Sequence, residues 1–99
     1  MASIEQRLNR GSRAREVLEN EVFIEAFSAI EQEYIEAWKT SPARDEEGRQ
    51  RIWLYLKALE KVKTQLTQTM ETGQLAIKEM EHRQSMLDKA KTGIVSWLG

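Results

Sequence analysis

The 99-residue sequence contains no cysteine, one proline and one histidine. Without cysteine, the chain has no disulfides, no thiolate nucleophile and no cysteine-ligated zinc. With His82 as the only histidine, a nucleophile–histidine catalytic system lacks its usual components. Glycine-rich phosphate loops and nucleophile elbows are also missing. These absences predict a protein that is not an enzyme and uses no cofactor.

Long apolar runs and an excess of one charge are missing as well. No run approaches the ~20 apolar residues of a membrane helix, and the opening MASIEQRLNR has no apolar signal core. We therefore expect a soluble, unprocessed protein with no membrane contact. The formal net charge is −1, which argues against a surface devoted to nucleic acid and against an acidic DNA mimic. At this length we expect one helical domain, residues 1–99.

The pattern that is present is a heptad repeat in the second half of the chain. Its main row is Ile52, Leu59, Leu66, Gly73, Met80 and Leu87, each seven residues from the next. Apolar rows with this spacing are typical of a helix that packs along its length against other helices. They predict a helix over about 46–90. Gly73 in this row either allows a close backbone approach or marks a weak point.

Residues 4–40 are expected to form either one kinked helix or two helices. Ser3 and Gln6 have capping-box spacing, which predicts a helix beginning near residue 4. Gly11 weakens that helix by about 1 kcal/mol. Asn20 is a good N-cap for a second helix over 21–40, which carries the strongest apolar stripe of the N-terminal half.

A turn between the two longest helices predicts an antiparallel hairpin. Pro42 interrupts helical hydrogen bonding, and Asp45 is placed to cap the helix that follows. Short loops join antiparallel neighbours. The glutamate-rich helix 21–40 would then lie beside the basic segment 49–63, with Tyr34 near Trp53. The expected fold class is all-α, an antiparallel helical hairpin with a long C-terminal helix.

Such a hairpin has no enclosed core, because each helix buries one side only. Either the first helix folds back to complete a three-helix bundle, or chains self-associate; we favour a homo-oligomer. The side chains expected at the oligomer or hairpin interface are apolar residues on facing stripes: Phe27, Ile30, Tyr34, Trp38, Ile52, Trp53, Leu56, Leu59 and Leu66.

The end of the chain is expected to form a short apolar tail, residues 93–99. Gly93 is predicted to end the long helix. The side chains predicted to bind a partner are those of Ile94, Val95, Trp97 and Leu98. This tail either folds back on the hairpin or docks on another chain.

Two polar features were weighed as sites. Arg10, Arg13 and Arg15 form a basic cluster that is a candidate for phosphate contacts, although a solvated helix face is favoured. Glu79 and His82 form a Glu-x-x-His motif of the kind that binds iron in carboxylate bundles. Because Met80 and Leu87 hold the apolar row, His82 is expected on a solvated face, and we predict no metal site.

The segment around the turn resembles a known group. Its residues are Tyr34-Ile-Glu-Ala-Trp38, Ser41-Pro-Ala-Arg-Asp45, Glu47-Gly-Arg49 and Ile52-Trp53, followed by Leu56, Leu59, Val62, Leu66 and Gly73. Across residues 14–77 the chain is similar to small uncharacterised helical proteins encoded near the capsid, portal and packaging genes of tailed bacteriophages and prophages. The resemblance implies a viral protein in the host cytoplasm during infection, with incorporation in the virion as a further destination.

Three functions follow from these features. The leading hypothesis is a non-enzymatic structural protein of virion assembly that binds another phage or host protein. The second is a DNA-binding packaging factor with a role like that of small terminase subunits, using Arg7, Arg10, Arg13 and Arg15. The third is a phage inhibitor of a host protein. Nucleic-acid binding is not favoured over protein binding.

Overall fold

A computed structural model describes the backbone of residues 2–98 and the side chains of residues 2–93. It contains three helices, α1 (Ile4–Glu19), α2 (Glu21–Thr40) and α3 (Glu46–Leu98), and no strand within that range. The all-α prediction is confirmed, with a long C-terminal helix preceded by two helices. The choice between one kinked helix and two is resolved as two.

Side chains at the predicted caps define where α1 and α2 begin. The Ser3 hydroxyl accepts a hydrogen bond from the Gln6 N–H at 3.1 Å, and the Gln6 side chain accepts from the Ser3 N–H at 3.0 Å. Asn20 has extended backbone angles and accepts from the Phe23 N–H at 2.9 Å. One extended residue therefore ends α1 and caps α2.

Arg49 closes the loop between α2 and α3. Asp45 caps α3 by accepting from the Gly48 N–H at 3.1 Å. Arg49 reaches back and donates to the Ser41 hydroxyl at 2.8 Å and to the Trp38 and Ser41 carbonyls at 3.3 Å. Its guanidinium also lies 4.0 Å from the centre of the Trp38 ring. The Trp38 carbonyl, which also accepts from the Ser41 hydroxyl at 2.6 Å, thus gains a cationic donor at the end of α2.

Both short helices lie antiparallel to α3, one after the other. As residue numbers rise through α1 and α2, the numbers of their contacts on α3 fall. The contacts are Arg7–Glu79, Gly11–Gly73, Phe27–Lys63, Tyr34–Tyr55 and Trp38–Arg49. The molecule is a rod of 82 × 26 × 19 Å. The alternative in which α1 folds back to complete a three-helix bundle is therefore wrong.

The pairing of α2 with α3 differs from the prediction in register and in chemistry. Tyr34 contacts Tyr55, with ring centroids 5.4 Å apart, rather than lying opposite Trp53. Among the described residues no ion pair joins α2 to α3, although acidic and basic segments lie side by side. Arg49 and Lys63 instead lie over the rings of Trp38 and Phe27. Aromatic packing, with cations on the ring faces, sets the register.

The prediction that the long helix ends at Gly93 is wrong. The helix continues to Leu98, and Gly93 has no left-handed backbone angle. A glycine inside a helix costs only about 1 kcal/mol, so it does not by itself end one. Arg83 lies beside the start of α1, and every described side chain from Glu81 to Gly93 is exposed. Residues 84–98, the α3 overhang, extend beyond the hairpin.

Very little of the hairpin is fully buried. Within the described residues the buried apolar side chains are Ala14, Phe27 and Ala76. Gly11 and Gly73 meet at the crossing of α1 and α3, where a Cβ on either one would come within 2.7–2.8 Å of the other's Cα. The close-approach interpretation of Gly73 is therefore confirmed.

Candidate protein-interaction surfaces

The predicted interface residues divide into two groups. Phe27 is buried, and Tyr34, Ile52, Leu56, Leu59 and Leu66 are half-buried between the helices of one chain. Ile30, Trp38 and Trp53 remain 40%, 42% and 51% exposed. The first group holds the hairpin together. In the second group, cations lie over the rings of Trp38 and Trp53, whereas Ile30 is exposed on the α2–α3 pair.

One side of the α2–α3 pair carries a continuous apolar surface. Tyr55 and Val62 are seven residues apart and share a stripe of α3, with Ala58 between them. The contact of Tyr34 with Tyr55 brings the α2 stripe containing Ile30 to the same side. This surface, the Tyr55 face, consists of Ala26, Ile30, Tyr34, Tyr55, Ala58 and Val62. Tyr55 and Val62 were absent from the predicted site, since they lie outside the main heptad row that contains Ile52 and Leu59.

Other aromatic rings of the hairpin are covered by cations. The ammonium of Lys63 lies 5.0 Å from the centre of the Phe27 ring, and that of Lys57 lies 5.5 Å from the Trp53 ring. Lysine covers the ring with its stem and keeps its charge in water. By contrast, no cation lies over the described rings of the Tyr55 face.

The α3 overhang is a second surface with apolar character. Met86 and Leu87 are 54% and 56% exposed, because α1 begins too far along α3 to cover them. The predicted partner-binding residues Ile94, Val95, Trp97 and Leu98 belong to this segment. Their side chains lie outside the described residues, so that prediction stays a prediction.

The basic cluster of α1 is spread around the helix. Arg10 lies in a groove of about 300 Å³ lined by polar side chains, with Arg7, Gln65, Gln68, Thr69 and Thr72. Arg15 lies by a different groove, beside Leu8 and Met70, and Arg13 donates to Asn9. The three predicted phosphate contacts therefore do not form one patch. In this polar groove Arg7 is already paired with Glu79 at 2.9 Å, so Arg10 is the cation that an anion would meet there.

The Glu-x-x-His motif is engaged elsewhere in the fold. Glu79 accepts from Arg7 at 2.9 Å and from Arg83 at 3.3 Å, and His82 is exposed. In the described part of the chain no three candidate ligands cluster in a way that would hold a metal ion. Nor does any described helix have the length and hydropathy needed to span a bilayer.

Comparison with known proteins does not extend this description. No family model, no curated protein and no solved structure matches the chain.

Proposed function

We propose that the chain is a non-enzymatic assembly protein of a tailed bacteriophage, acting through helical protein–protein contacts in the virion or the packaging machinery. The observation that carries this proposal is the apolar surface left open by a single copy. Large side chains such as Ile30, Val62 and Leu87 are 40–56% exposed, while the only large apolar side chain buried among the described residues is Phe27. Contiguous exposed apolar surface marks contact with other proteins.

The shape of the molecule supports an assembly role. The Tyr55 face lies on the α2–α3 pair, whereas the α3 overhang lies at the far end of a rod 82 Å long. The two surfaces are separated, so one can bind a partner while the other is occupied. A rod with two separated contact surfaces is suited to joining components of a larger particle.

The viral origin is supported by the residues that carry the resemblance. Asp45, Gly48 and Arg49 belong to its loop pattern, and each has a defined role in the hairpin. Asp45 caps α3, Gly48 leaves room for the Asp45 carboxylate, and Arg49 closes α2. These three residues stabilise the hairpin, and the viral origin is proposed from the resemblance alone.

The proposal is tested by binding in infected cells. A tagged chain should co-purify with capsid, portal or packaging proteins, identified by mass spectrometry. Leu87→Glu in the overhang should abolish co-purification, whereas Ser85→Glu, an equal charge at an exposed polar neighbour, should not. Co-purification with host proteins alone would contradict the assembly role and favour the host-inhibitor hypothesis.

A second candidate function, DNA binding during packaging, is favoured by the polar groove. Arg7 and Arg10 line it together with amide and hydroxyl side chains, which are common phosphate ligands. Titration with duplex DNA at low salt should then show strongly salt-dependent binding that Arg10→Glu removes and that Arg44→Glu, in the exposed loop, does not. Absence of binding at low salt would remove this candidate.

A further inference from the structure

We propose that two copies of the chain pair through their Tyr55 faces about a two-fold axis parallel to the rod, with α2 of each copy against α3 of the other. This inference names the occupant of the apolar surface on which the proposed function rests. It also fixes how the copies are oriented, and so where their overhangs lie.

The Tyr55 face has the composition of an interface centre. Ile30, Tyr55 and Val62 are 40%, 46% and 50% exposed, and the exposed alanines Ala26 and Ala58 lie beside them. Large apolar side chains next to small ones let two helix pairs interdigitate at close range. A second copy would bury all five positions at once.

The area of this face is close to what a dimer requires. The α2 helix has 20 residues, so its pair with α3 is ~30 Å long and ~20 Å wide, or roughly 600 Å² in projection. A standard specific interface buries ~800 Å² per partner. The accessible area of a ridged helical surface exceeds its projection, so the two values are of the same order.

Charge identifies a second copy as the occupant. The α2 helix carries five glutamates and one lysine, and residues 49–63 carry five basic residues and one glutamate. Within the described residues no ion pair joins these two segments inside one chain. Three of these basic residues, Arg49, Lys57 and Lys63, lie over aromatic rings of their own chain. On the Tyr55 face itself, Glu33 shares the α2 stripe of Ala26 and Ile30, and Arg51 shares the α3 stripe of Tyr55 and Ala58. The face therefore presents one acidic and one basic side chain next to each other, which is a self-complementary arrangement.

Charge also decides between the two ways of pairing the faces about a two-fold axis. With the axis across the rod, α2 meets α2 and α3 meets α3, which opposes like charges. With the axis along the rod, each acidic α2 meets the partner's basic α3. Only the second arrangement is favourable, and in it both overhangs project from the same end of the dimer.

The existence of the dimer is tested by molar mass in solution. Val62→Glu should convert the dimer to a monomer, because it places a charge within the apolar face. Leu75→Glu is the matched control, since Leu75 is 62% exposed and lies on α3 outside the Tyr55 face. Equal loss of dimer in both variants, with helicity retained, would overturn the assigned face; a monomeric wild-type chain would overturn the dimer itself.

The orientation is tested by a distance between spin labels. The chain has no native cysteine, so Ser85→Cys gives a single labelling site in the overhang. Ser85 lies about 40 Å along α3 from the level of the centre of α2. Overhangs at the same end of a four-helix dimer predict a label separation below about 45 Å. Overhangs at opposite ends predict roughly 80 Å, which would overturn the axis direction.

A charge reversal gives an independent check of the same point. In the proposed dimer Glu33→Lys places a positive charge near the partner's basic segment, so the dissociation constant should rise about tenfold or more. Glu71→Lys makes the same change on an exposed part of α3 beyond α2 and should have little effect. Tighter association of Glu33→Lys would indicate α2 against α2 and overturn the arrangement. These measurements use purified protein, so they can fail while the binding of phage components stands.

Discussion

At the scale of single residues, the contact between Gly11 and Gly73 is the most demanding feature of the fold. The two backbones approach so closely that a Cβ on either glycine would overlap the opposite helix. Backbone atoms cannot move aside as a flexible side chain does. The whole α1–α3 crossing would therefore have to separate to admit a methyl group.

The first prediction is that Gly73→Ala destabilises the protein by about 1–3 kcal/mol, because overpacking outweighs the gain in helix propensity. Gly93→Ala is the matched control. A Cβ there has no neighbour within 4 Å, so propensity alone should stabilise by up to ~1 kcal/mol. Urea unfolding at one fixed protein concentration measures both. A stabilising Gly73→Ala would mean that the glycines do not touch.

Arg49 adds a charged donor at the end of α2, where the Ser41 hydroxyl also donates to the Trp38 carbonyl at 2.6 Å. We predict that Arg49→Ala lowers the free energy of unfolding by about 1–3 kcal/mol, because carbonyls at the end of α2 lose a charged donor. Arg49→Lys should recover only part of this, since an ammonium lacks the planar fork. Arg44→Ala in the same loop is the control. Equal unfolding midpoints for Arg49→Ala and Arg44→Ala would contradict this role of the Arg49 hydrogen bonds.

At the scale of helices, the sequence predicted where elements begin better than where they end. Ser3, Asn20 and Asp45 cap their helices as expected, because capping depends on a side chain and the backbone within three residues of it. Gly93 does not end α3, since a glycine ends a helix where its backbone adopts the left-handed conformation, and Gly93 does not. Local chemistry determined the starts, and context determined the end.

The same limit applies to how the helices pair. The apolar stripes of α2 and α3 predicted the hairpin, but not its register, which depends on ring contacts such as Tyr34–Tyr55. The pairing of Gly11 with Gly73 was not predictable either. A glycine in an apolar row has the same pattern whether it meets another glycine or open space. Tyr55 and Val62 were not predicted as interface residues, because they lie outside the main heptad row.

A prediction at this scale concerns the α3 overhang. Since no described side chain from Glu81 to Gly93 is covered by another helix, its backbone amides should exchange faster than those near Gly73. Removing residues 84–99 should leave the free energy of unfolding of the hairpin unchanged within about 1 kcal/mol. Hydrogen exchange and thermal unfolding check the two statements. Strong protection at Met86 and Leu87 in the isolated chain would show that the overhang is already packed.

At the scale of the whole molecule, the main feature is the apolar surface that a single copy leaves exposed. Because α1 and α2 pack along one side of α3, each helix buries only one side. The described apolar residues that the hairpin buries fully are Ala14, Phe27 and Ala76. In the proposed dimer, a second copy covers the Tyr55 face and leaves two overhangs free at one end. The hairpin would then be the dimerisation unit, and the overhangs the element that engages other components.

The absolute molar mass of the full chain in solution, measured by light scattering over a dilution series, tests this most directly. Pairing through the Tyr55 faces predicts a species of twice 11.5 kDa that dissociates on dilution. A folded, fully helical species of 11.5 kDa at every concentration would contradict it.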